Sequence, residues 1–205
     1  MEREKRIILK TAALFLLLLA LMPTQEAMAA SKKKQALKAY AAMLEKKENK
    51  TGNYNFDKFA LAYIDGDSVP ELIYGDYGNT VYTYKNAKVQ QLYSPGTSYV
   101  AGYYKKKGVV CVTYAHGNAY GDLLESYWYY KYSKGKFVQK LSKYKNSSWK
   151  NGKKIASSVT YWNVKEKKIS KSLFQRQLKK LVGTKKMSKF KFYKNTSANR
   201  QKYLK

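Results

Sequence analysis

LLESYWYYKYSKGKFVQKL, residues 123–141, is two runs of strand-forming residues joined by Ser133-Lys134-Gly135. Aromatic and β-branched side chains suit the pleated, half-buried surface of a sheet. A short Gly-containing break between two such runs signals a hairpin. Successive strand residues face opposite sides. Tyr127 and Tyr129 therefore share one face, and Trp128, Tyr130 and Tyr132 share the other. One row is expected to pack in a core. The second has two readings: cross-strand ring packing, which stabilises any sheet, or open rings that stack on sugars, with Tyr82, Tyr84 or Trp162 as neighbours.

The same hairpin grammar extends in both directions. Thr80 to Tyr84 and Lys88 to Tyr93 flank Asn86-Ala87, and Ser98 to Tyr104 and Val109 to Tyr114 flank Lys105 to Gly108. Phe59 to Ile64 and Pro70 to Tyr74 flank an acidic turn. Asn151-Gly152, both tolerant of positive φ, opens a further strand at Lys154 to Val164. Lys189 to Tyr193 alternates Lys with Phe, the pattern of an edge strand guarded against edge-to-edge pairing.

Helical spacing appears at two ends. Leu37, Tyr40, Ala41 and Leu44 recur at i, i+3, i+4 and i+7, which predicts a helix over 35–47. Near the C-terminus Phe174, Leu178, Leu181 and Val182 form an apolar stripe that Gly183 ends, with Ser172 and Gln175 as a capping box. Thr196 is placed to cap a last short helix. The expected fold is α+β: an N-terminal helix, an antiparallel meander of about seven to nine short strands as an open sheet or partial barrel, and a helix near the C-terminus.

Residues 1–29 read as a secretory signal: a basic start, an apolar run over Thr11 to Met22, Pro23, and small residues at Ala27 and Ala29. Cleavage near Ala29-Ala30 would leave a single secreted domain, residues 30–205, with no transmembrane segment. The whole chain carries 41 Lys and Arg against 13 Asp and Glu, a net +28. Losing residues 1–29 leaves 37 bases against 10 acids, or +27. Only Arg176 and Arg200 of those bases are arginine. Lysine suits diffuse attraction to polyanions, whereas arginine is the residue of base-edge recognition. A specific nucleic-acid partner is therefore not expected. Cys111, the one cysteine, excludes an internal disulfide and sits in a Val-rich strand as a small buried side chain.

Asp65-Gly66-Asp67-Ser68-Val69-Pro70-Glu71-Leu72 is the constellation richest in chemistry. A strand, an acidic turn and a strand opening on Pro-Glu-Leu resemble the calcium loop of integrin-type FG-GAP and VCBS repeats. That resemblance implies Ca²⁺ as a cofactor held by Asp65, Asp67 and Glu71 through hard oxygens. It spans about ten residues and occurs once. Tyr63 stands where the family has its first acid, and Ser68 where it has a glycine. The plain reading is an Asp-Gly turn whose carboxylates cap backbone N–H groups. The wider pattern resembles small exported proteins of Gram-positive anaerobes, which implies no activity.

His116 is the sole histidine and is followed by Asp122 and Glu125. A histidine with an acid partner can be a general base, but no Gly-x-Ser-x-Gly nucleophile motif is present. The reading that unites these features is a secreted, non-enzymatic binding protein. Its Lys- and Tyr-rich face would associate with anionic or glycan polymers of the cell envelope or its surroundings. The candidate stacking residues are Tyr127, Trp128, Tyr129, Tyr130, Tyr132 and Trp162. The rival readings are a protein-binding or inhibitor module and a hydrolase built on His116, Asp122 and Glu125.

Overall fold

The computed structural model describes residues 24–48, 57–75, 78–117 and 121–205. The apolar signal run, the expected loop over 49–55, and residues 118–120 after His116 lie outside the described residues. The elements are α1 (Gln25–Lys47), β1 (Lys58–Ala62), β2 (Glu71–Tyr74), β3 (Thr80–Lys85), β4 (Lys88–Tyr93), β5 (Tyr99–Tyr104), β6 (Val109–Gly117), β7 (Leu123–Ser133), β8 (Lys136–Lys150), β9 (Lys153–Asn163), β10 (Lys168–Ile169), α2 (Lys171–Val182), β11 (Tyr193–Lys194) and α3 (Ser197–Tyr203).

The meander divides into two antiparallel, open sheets. The small sheet runs β11-β1-β2-β3-β4 and the large one β10-β9-β8-β7-β6-β5. Eleven strands in two sheets replace the expected seven to nine in one. The break falls at Ser94-Pro95-Gly96, where Pro95 has no N–H to give a ladder, and the chain passes from the edge strand β4 to the edge strand β5.

Each sheet packs against another layer on both faces. Ala36, Leu37, Tyr40 and Leu44 of α1 pack on Phe59, Leu72 and Tyr84, the outer face of the small sheet. The inner residues Ala60, Ala62, Ile73 and Val81 meet Val100, Val110 and Val112 of the large sheet. Val109, Cys111, Tyr129 and Leu141 on the far side of the large sheet pack against Phe174 and Val182 of α2. The result is four layers: helix, sheet, sheet, helix. Alternation in one strand serves two cores, as Val109-Val110-Cys111-Val112 shows. Burial raises the Cys111 thiol to about 11, so it is an inert packing group.

Local expectations shift for identifiable reasons. α1 starts at Gln25, capped by Thr24, ten residues before the expected start at 35; no residue in it is buried before Ala36. Ser170, not Ser172, caps α2, because Ser170 is extended and its hydroxyl accepts from Leu173 N at 3.2 Å. The Lys-Phe alternation is mostly not a strand. Ser188 bridges to Tyr103 at one edge of the large sheet, and Tyr193–Lys194 pair with β1 at one edge of the small one. Residues 188–194 thus strap the two sheets together, with Phe190 stacked on Tyr103 at 5.2 Å and Phe192 beside it.

Behind the strap, fully buried Asn195 donates to Leu44 O at 2.8 Å and to Asp57 Oδ1 at 3.0 Å, and accepts from Arg200 at 3.0 Å. Arg200 also pairs with Glu48 at 2.8 Å. This network joins the end of α1, the start of β1 and α3.

The strap depends on Gly102. A Cβ there would lie 2.6 Å from Ser188 O, closer than any real contact and against backbone. Gly102→Ala should cost about 1–3 kcal/mol in denaturant unfolding, the usual penalty of overpacking. A variant as stable as the parent would show that the strap is not anchored there.

Candidate functional site: a ring-lined hollow on the large sheet

The two sheets differ in strand length. β1 to β4 have 4–6 residues, whereas β7, β8 and β9 have 11, 15 and 11. The small sheet therefore covers only part of the large sheet's inner face, and the remainder is open. Cross-strand pairs set which residues share that face: Ser126 opposite Tyr144, Trp128 opposite Ser142, Ser142 opposite Trp162, Tyr144 opposite Thr160 and Asn146 opposite Ser158, with Ser126 and Ser142 buried among the larger side chains. Directly paired residues point to the same face.

Within this face, on β8, β9 and the turn after β9, a hollow of about 440 Å³ is lined by Gln139, Ser142, Tyr144, Thr160, Trp162 and Glu166. Trp128, Tyr144 and Trp162 make an edge-to-face ladder, with ring centres 6.3 and 6.5 Å apart at 88° and 86°. Hydrogen bonds fix the rings: Trp128 Nε1 donates to Tyr144 Oη at 3.3 Å, and Trp162 Nε1 donates to Thr160 Oγ1 at 3.2 Å. Polar tips are satisfied while ring area stays half-exposed, the arrangement of an amphipathic contact surface. On the same face at β6, exposed His116 stacks on Tyr114 with ring centres 6.4 Å apart.

The two faces of this sheet differ in charge. The pairs between β7, β8 and β9 that build this face contain no charged residue; at its β10 edge exposed Lys168 lies opposite Trp162, and Glu166 stands at the rim of the hollow. On the opposite face Lys143 sits 4.0 Å over the Tyr127 ring, and Lys145 pairs with Glu125, which also accepts from Tyr127 Oη at 2.7 Å. Those contacts lower the Glu125 pKa, chiefly through the Lys145 and Tyr127 hydrogen bonds.

Of the six expected stacking residues, Trp128 and Trp162 belong to the hollow's ring ladder. Tyr129 is buried against Phe174, and Tyr127 lies on that α2 face. Tyr130 packs on Tyr93 at 5.2 Å, and Tyr132 on Phe137 at 5.6 Å. Tyr82 and Tyr84 face α1 on the small sheet, away from the hollow. Both rows of the strand that opened the sequence reading are thus largely used in packing. The sequence reading missed Tyr144, Ser142 and Thr160 as partners, because it ended the second strand of that hairpin at Leu141. The signal was there in Tyr144 and Trp149, set among residues of low strand propensity.

Two members of the rival catalytic set, His116 and Glu125, are turned away from each other. His116 pairs with Leu124, and Glu125 is the next residue, so His116 and Glu125 face opposite sides of the sheet.

Asp65, Asp67 and Glu71 do converge, with one oxygen of each within 4.8 Å of the others. Their oxygens also cap the turn: Asp65 accepts from Asp67 N at 3.0 Å, Asp67 from Val69 N at 2.8 Å, and Glu71 from Ile64 N at 2.9 Å. Lys32 lies 3.5 Å from Asp67. Burial, then the Asp65 charge, raises the Glu71 pKa to about 8.

With the fold and these sites in view, the chain matches no family model, no curated protein and no solved structure.

Glu71 predicts an unusual pH trend in chelator-treated protein. An acid whose folded pKa is raised contributes stability that is complete below its unfolded value, 4.5, and lost as pH rises through about 8. The melting midpoint should therefore fall from pH 5 to pH 8.5, and Glu71→Gln should flatten that slope. A midpoint that rises over this window would contradict the proton assignment.

Proposed function

We propose that this chain is an exported, non-catalytic module that holds glycan or anionic polymers outside the cell, gripping them at the ring-lined hollow of the large sheet. The observation that carries the reading is the Trp128–Tyr144–Trp162 ladder with its hydroxyl and amide border. Rings bury the faces of a sugar, and flanking hydroxyls and amides bond to its oxygens.

The lysines act differently. They lie on both outer helices, at Lys32, Lys33, Lys34 and Lys38 of α1 and at Lys171, Lys179 and Lys180 of α2. Charge spread in this way gives long-range attraction to an anionic matrix rather than a shaped anion site. Export rests on the residues 1–29 pattern. The described helix is compatible with cleavage near Ala29-Ala30, since every buried residue of α1 lies after it.

A calcium ion at Asp65, Asp67 and Glu71 is part of the same reading. It would pin the turn between β1 and β2 and displace the proton that Glu71 otherwise takes. A ligand bound only by the folded state raises its midpoint. Millimolar Ca²⁺ should therefore raise the melting midpoint at pH 8 above that in chelator, and Asp65→Asn should abolish the difference. Identical curves would remove calcium from the account.

Retention on insoluble cell-wall polysaccharide tests the module itself. The parent should bind at low salt, lose part of its binding as salt screens the lysines, and keep the rest. Trp162→Ala should lose the salt-resistant part. No retention at low salt defeats the proposal.

A further inference from the structure

We propose that the outer edge of β9 takes up an extended, acidic segment of a partner protein as an added strand of the large sheet. This surface lies beside the ring-lined hollow but uses main-chain groups of β9 rather than the rings.

β9 runs from Lys153 to Asn163, but β10 pairs only with its far end, Lys168 opposite Trp162 and Ile169 opposite Tyr161. From Lys153 to Thr160 the strand is held by β8 alone. Asn163 fixes the direction of the backbone groups. Its N–H donates to Lys167 O at 3.1 Å and its carbonyl accepts from Glu166 N at 3.0 Å, so both point away from β8. In an antiparallel strand that direction alternates from residue to residue. The register with β8 is unbroken from Asn163 back to Ala156. The N–H and C=O groups of Ser157 and Val159 therefore also point outward, two donors and two acceptors that no described strand pairs.

This edge lacks the usual guards. Residues 155–160 contain no charge and no proline, the devices that keep sheet edges apart. Residues 153–159 are all exposed, Ile155 at 63% and Val159 at 41%. The bulge at Ile155 interrupts the ladder, so the regular open run is 156–160. The other edges differ. The strap bridges β5 at Tyr103, β11 is two residues long, and β4 is half-buried at Val89, Leu92 and Tyr93.

Charge selects the partner. β8 carries five lysines and β9 two, with no acid on either. Lys153 and Lys154 flank the open run at one end, and exposed Lys165, Lys167 and Lys168 at the other, with Glu166 the one acid among them. A strand laid along this edge has both its ends among cations, which favour carboxylates and repel lysines. A second copy of β9 would bring its own lysines to the same place, so the edge suits an acidic strand better than its own kind. Five residues span about 17 Å. The added strand gains main-chain bonds to Ser157 and Val159, the usual source of affinity when a peptide extends a sheet.

The test titrates the full chain with a dye-labelled eight-residue peptide, two glutamates at each end of a Val-Thr-Val-Thr centre, read by fluorescence anisotropy. One control peptide has lysine for each glutamate, and another has proline for the second valine. The acidic peptide should bind and should slow hydrogen exchange at the Ser157 and Val159 amides. Both control peptides should bind at least about tenfold more weakly. Val159→Pro removes an outward N–H that no ladder uses. It should weaken the acidic peptide about tenfold, near the worth of one main-chain hydrogen bond, and keep the melting midpoint. The exchange pattern of the parent decides the matter even if Val159→Pro fails to fold. No binding of the acidic peptide, equal binding of the proline peptide, or no protection at Ser157 and Val159 would overturn the added strand. Equal binding of the lysine peptide would overturn the acidic partner. Dimerisation of the chain that Val159→Pro abolishes would assign the edge to a second copy and overturn the proposal.

Discussion

The mismatch in strand length between the two sheets is the constraint on which the rest depends. The small sheet has four strands of 4–6 residues and the two-residue β11, and can cover only a patch of a partner whose central strands reach 11 and 15. Under that patch lies a dry, Val-rich layer, Val81 against Val100, Val110 and Val112. Beyond it β6 continues on the same face with Tyr114 and His116 in place of Val110 and Val112. The change in side chains along a single strand marks where the cover ends. The packed core and the open, ring-bearing surface are therefore separated by position along the strand rather than by domain.

The absence of disulfides makes this arrangement demanding. Four layers require three cores, and each must be closed without a covalent link. Apolar area removed from water supplies most of the driving force. The connections that hold layer to layer are specific: the 188–194 strap along one side, and the Asn195–Asp57–Arg200 network at one end. Asn195 satisfies a buried carbonyl and a buried carboxylate at once, which is why it is fully buried at so little polar cost. The Asp65–Asp67–Glu71 turn closes the other hairpin of the small sheet and carries the opposite character, three acids converging in a basic protein.

Charge and rings, which composition suggests belong to one surface, are separated by the fold. Lysines lie on the helices and on the α2-facing side of the large sheet, whereas the pairs between β7, β8 and β9 beside the hollow are uncharged, with Lys168 and Glu166 at its edge.

The order of hairpins, their turns and the inward stripes of the helices could be read locally. Asn86, Asn151 and Gly152 adopt the positive φ that their residues permit, and Ala87 is carried into it by the two-residue turn. Leu37, Tyr40 and Leu44 are buried on α1, and Gly183 ends α2 as its φ of 65° requires. Periodicity of two or 3.6 is a property of neighbours in the chain, so the amino-acid order by itself determined these. Three features were settled only in three dimensions. The split into two sheets depends on which edges meet after Pro95. The extension of β8 through Lys143–Lys150 is imposed by ladders on both sides, against weak intrinsic propensity. The hollow exists because one sheet is shorter than the other. Alternation tells which rings share a face, but only the packing of a second layer decides which of those faces meets water.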